Sequence, residues 1–77
     1  MTTKQIMDEY AKWLMRNKPR EPKLVQISLV DWESLAEATR PRQPDLADEM
    51  LATKEGRFIN AIFMPSEQLV PGIVHIT

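Results

Sequence analysis

Residues 57–64 read RFINAIFM, and the assignment of this run decides how many strands the sheet has. Apolar side chains fall on both alternating faces, with Phe58, Ile62 and Met64 on one and Ile59, Ala61 and Phe63 on the other. A strand of that kind is covered on both sides and belongs in the interior of a sheet. Taken as one uninterrupted strand, 57–64 needs neighbours, and two other segments qualify.

The clearer of these is LVQISLV, 24–30. Val25, Ile27 and Leu29 alternate with Gln26 and Ser28, the period-two signature of a half-buried strand. The other is IVHI, 73–76, a short final strand entered through a Pro71-Gly72 turn. It is expected to lie antiparallel to the strand before it.

Elsewhere the period is helical. Residues 3–17 place Ile6, Met7, Tyr10, Ala11, Trp13 and Leu14 on one side, with Lys4, Asp8, Lys12 and Arg16 on the other. Thr2 and Gln5 have capping-box spacing, and Asn17 suits the C-terminal end. Pro19 and Pro22 then stiffen a linker over 18–23. After the first strand, Asp31 is expected to cap a helix over 32–39, with Val30 and Leu35 as a hydrophobic staple. Trp32, Leu35 and Ala36 face its core side. The prolines of TRPRQP, 39–44, break this helix. A third helix over 45–55 follows, capped by Asp45, with Leu46, Met50 and Leu51 as its apolar side and Gly56 as its stop. The expectation is a single small α+β domain over 1–77. Its element order is α-β-α-α-β-β, and a three-stranded sheet packs against the helices.

Composition narrows the chemistry. In 77 residues there is no cysteine, one histidine and two glycines. Disulfides and thiolate metal sites are excluded, and so are glycine-rich phosphate loops of the usual patterns. His75 has no second histidine at metal-ligand spacing. The carboxylates Asp45, Asp48 and Glu49 occupy a helix start, where acids are favoured regardless of function. No catalytic, cofactor-binding or metal-binding residue is assigned, and the chain is not expected to be an enzyme. The N-terminus lacks a signal-type apolar stretch, and no run reaches membrane-spanning length. A complete, small, cytoplasmic gene product is expected, with no membrane contact.

The net charge of −1 conceals a polarity. Residues 1–23 carry six Lys/Arg against three Asp/Glu, whereas 31–55 carry three against seven. Such opposed patches steer association or pair copies of one chain. The candidate partner-binding residues are therefore Lys12, Arg16, Lys18, Arg20, Lys23, Arg40 and Arg42. Trp13 or Trp32 and the methionines Met7, Met15 and Met50 are candidate anchors. The function expected is non-catalytic binding to another protein, as a small bacterial or phage-encoded regulator or inhibitor, with self-association as a variant. The alternatives are a nucleic-acid-binding regulator using the basic 12–23 segment, or a small virion component. Nucleic acid ranks second, because the sequence pI near 5.7 and the acidic middle oppose a general basic surface.

Overall fold

The computed structural model describes residues 2–58 and 60–77. The first helix, α1 (Thr3–Arg16), begins at the predicted capping box, with the Thr2 side chain accepting from the Gln5 amide and Gln5 accepting in return. It ends at Asn17, whose side-chain amide donates to the Trp13 carbonyl at 2.8 Å. Ile6 and Tyr10 are buried, and Met7 and Leu14 pack partly against the core. Ala11 is exposed and Trp13 half-buried, so the apolar stripe is narrower than the sequence spacing predicts.

The first strand, β1 (Leu24–Ile27), is shorter than the expected 24–30. Ser28 stops it. Its hydroxyl accepts from the Asp31 amide at 3.1 Å and caps α2 (Leu29–Thr39), three residues ahead of the expected start. Serine is a strong capping residue, and here it wins over Asp31. Leu29 and Val30 consequently lie in the first turn of the helix and are exposed, Val30 by 60%, so the Val30–Leu35 staple does not form. Trp32, Leu35 and Ala36 are buried as expected.

The third helix, α3 (Pro44–Thr53), starts one residue before Asp45, with Pro44 at its head, Gln43 in the cap position and no side-chain cap. Proline suits that place because its missing N–H has no helical partner there. The helix stops at Lys54, in the left-handed region with φ 59°. Gly56 is therefore not the helix stop.

The run 57–64 is two strands, not one. β2 (Gly56–Phe58) and β3 (Ala61–Pro65) pair antiparallel, and Asn60 lies between them at φ 66°. Asparagine tolerates that conformation better than most residues. The pairing sets Phe58 opposite Ala61, on the side that carries Phe63, so Phe58 leaves the face shared by Ile62 and Met64. Ile59 lies outside the described residues.

The last strand, β4 (Val74–Ile76), also departs from expectation. It pairs antiparallel with β1 rather than with the strand before it. β1 and β3 are parallel, and the four-stranded order is β2-β3-β1-β4. The loop from 66 to 73 carries the chain past the end of β1. It is pinned by the Ser66 amide on the Ile27 carbonyl and by the Gly72 amide on the Asp31 carboxylate. Its Pro71-Gly72 turn is as predicted, with Gly72 at φ 93° and the Ile73 amide donating to Val70.

The sheet's inner face and the helices share one core of Ile6, Tyr10, Val25, Ile27, Trp32, Leu35, Ala36, Met50, Ala61 and Phe63. Phe63 is its aromatic hub, 5.6 Å from Tyr10 and 5.2 Å from Phe58 between ring centroids. The outer face alternates with this set and carries Leu24, Gln26, Arg57, Ile62, Met64 and His75.

Candidate protein-docking surface

The seven cations singled out from the sequence divide into three groups. Lys12 is paired with Glu9 at 3.5 Å along α1. Arg40 spans α2 and α3, with Glu37 at 3.3 Å and Asp48 at 2.7 Å. Its hydrogen bonds to those two carboxylates, Asp48 first, hold the guanidinium even more firmly protonated than usual. Lys12 and Arg40 each have an ion-pair partner within the domain. Arg42 lies apart, lining a hollow with Gln43, Leu46 and Phe58.

The remaining four form one group. Arg16 ends α1, and Lys18, Arg20 and Lys23 follow in the linker. All four are exposed, and among the described residues none makes an ion pair. The linker that presents them is fixed at several points. The Arg20 amide donates to Asn17 at 2.7 Å, Pro22 is buried, and the Lys23 amide and carbonyl bond Thr77 and Ile62. A held backbone presents its charges at lower entropic cost than a free one.

Two larger side chains lie near the end of α1, on different sides of the helix. Met15 is 75% exposed on the last turn of α1. Trp13 is half-buried, with the Arg20 guanidinium 6.0 Å above its ring. The sequence assigned Trp13 to the core, but α1 turns it to the rim, where Arg20 covers one face. The other proposed anchors are spent, because Trp32 and Met50 are buried and joined by a 3.1 Å bond from the indole N–H to the Met50 carbonyl. Met7 is half-buried against the core.

Two titratable groups are perturbed without suggesting catalysis. Burial pushes the Tyr10 hydroxyl up, aided by the negative charge of Glu21. Burial alone would also raise Asp31. Hydrogen bonds from the Gly72 amide and the Ser28 hydroxyl act against it, and the carboxyl is held below the usual range. Among the described residues no three His, Asp or Glu side chains gather as a metal site, and no helix is long and apolar enough to cross a membrane. Compared with family models, with curated proteins and with solved structures, the chain matches none.

Proposed function

We propose that this chain is a non-catalytic protein-binding module, a small regulator or inhibitor that docks on a larger protein through the end of α1 and its linker. The observation that carries this is the run Arg16, Lys18, Arg20 and Lys23, all exposed and, among the described residues, without an ion pair, against the single carboxylate of Glu21 in the same linker. A basic helix end and linker fit an acidic protein surface, with the charges steering encounter. A bacterial or phage source is part of the proposal and rests on the size of the chain alone.

Nucleic acid fits this surface less well. Arg20 already covers a face of Trp13, and the outer sheet face offers no Phe, Tyr or Trp ring for base stacking among the described residues. The deciding experiment uses the chain as bait in a bacterial lysate, beside an Arg16→Glu, Arg20→Glu variant, with and without nuclease. A single stoichiometric protein held by the wild type, resistant to nuclease and missing from the variant lane, supports docking. Equal recovery by both baits, or recovery of nucleic acid, sinks it.

A further inference from the structure

β2 is an edge strand, paired on one side only. Two adjoining hollows lie against it. One, about 350 Å³, is lined by Glu49, Thr53 and Glu55 with Ile62 of β3, and the other, about 600 Å³, by Thr39, Arg42 and Gln43 with Thr3 of α1 and Ala38 of α2. Leu46 and Arg57 line both, so the two form one groove between α3 and β2. Arg57 belongs to the outer face of the sheet and Phe58 to the inner. A surface that reaches both passes around the strand, and the strand's free edge carries unpaired backbone groups.

The groove is also polar in charge. Arg42 and Arg57 make no ion pair among the described residues, and Arg42 marks one end. Glu49 and Glu55 mark the other, equally unpaired among the described residues. Leu46 and Phe58 give the middle an apolar wall.

We infer that this groove takes an extended segment of a partner protein as an added strand on β2. The segment carries an acidic side chain at the Arg42 end, an apolar one against Leu46 and Phe58, and a basic one toward Glu49 and Glu55. Main-chain bonds to a short edge supply part of the affinity, and the alternating side chains supply selectivity. The groove is distinct from the α1 end, so this site and the proposed docking surface stand or fall independently.

The probe is an end-capped hexapeptide alternating valine and threonine, with aspartate at one end and lysine at the other, tested in both sequence orders. It is titrated into the full chain and followed by amide NMR. Saturable shifts at Gly56, Arg57 and Phe58, with His75 on the opposite edge unmoved, are expected for one order. Arg42→Glu, an exposed change, should weaken binding about tenfold while the spectrum stays dispersed. Backbone N-methylation of the peptide should abolish binding, and Arg16→Glu should leave it unchanged. The proposal is overturned if neither order shifts β2, if the shifts fall on β4, or if the N-methylated peptide binds as well. It is overturned too if the β2 amides move with protein concentration alone, since a second copy then fills the groove.

Discussion

The Gly72 amide donates to the Asp31 carboxylate at 2.9 Å across a separation of 41 residues. This bond ties the loop before β4 to the first turn of α2, and so helps set β4 beside β1 rather than beside β3. Asp31 is buried while Gly72 is exposed, so the freed amide can turn to water, and the loss is that of a hydrogen bond to a charged group, worth about 1.5–3 kcal/mol. Asp31→Ala should therefore lower the unfolding free energy by about that amount, measured by urea titration at neutral pH.

The same carboxylate gives stability a pH dependence. Its folded value is held below the ordinary 3.8, so the unfolded chain takes up the proton first as pH falls. The stabilisation is complete above the ordinary carboxylate range and is lost as pH drops through the depressed folded value. Asp31→Asn keeps an acceptor for Gly72 but removes the titration. The stability gap between wild type and Asp31→Asn should shrink on acidification, and a constant gap would contradict this account of Asp31.

Gly56 sits in a tight place under Phe58, Met50 and Trp32. A Cβ there would lie 3.0 Å from a Phe58 ring carbon, 3.3 Å from the Met50 side chain and 3.4 Å from the Trp32 ring. Gly56→Ala should destabilise by about 1–3 kcal/mol through overpacking, read as a lower midpoint of denaturation. An unchanged midpoint would mean that the packing of α3 on β2 is looser than described.

Asn60 tests the hairpin. At φ 66° a β-branched side chain is strained, whereas glycine is free of that strain. Asn60→Val should cost about 1–2 kcal/mol, and Asn60→Gly should be close to neutral. Equal effects from both would favour a continuous strand over 57–64.

That hairpin marks where the sequence was hardest to interpret. RFINAIFM carries apolar side chains on both faces, and a single asparagine is a weak turn signal beside strong strand propensity. β4's place was hidden for a different reason, because strand order depends on Gly72 meeting Asp31, a contact that no local pattern encodes. The Thr2–Gln5 box, the Asn17 stop and the buried Trp32, Leu35 and Ala36 were legible, since capping and helical spacing are local physics. Within the candidate site, the basic cluster was visible as charge. Its division was not, because pairing of Arg40 with Asp48 depends on how α2 and α3 fold back on each other. Nor was the groove along β2, whose edge exists only because 57–64 splits in two.

The central claim is that the unpaired cations at the end of α1 form a docking surface. Its most direct test is the affinity of the captured protein for wild type and for Arg16→Glu, Arg20→Glu, measured by calorimetry at low and moderate salt. Wild-type affinity should fall with salt, and the variant should bind about tenfold more weakly at low salt with a flatter salt dependence. Identical affinities and identical salt slopes would contradict the claim and leave those four residues as solvated surface.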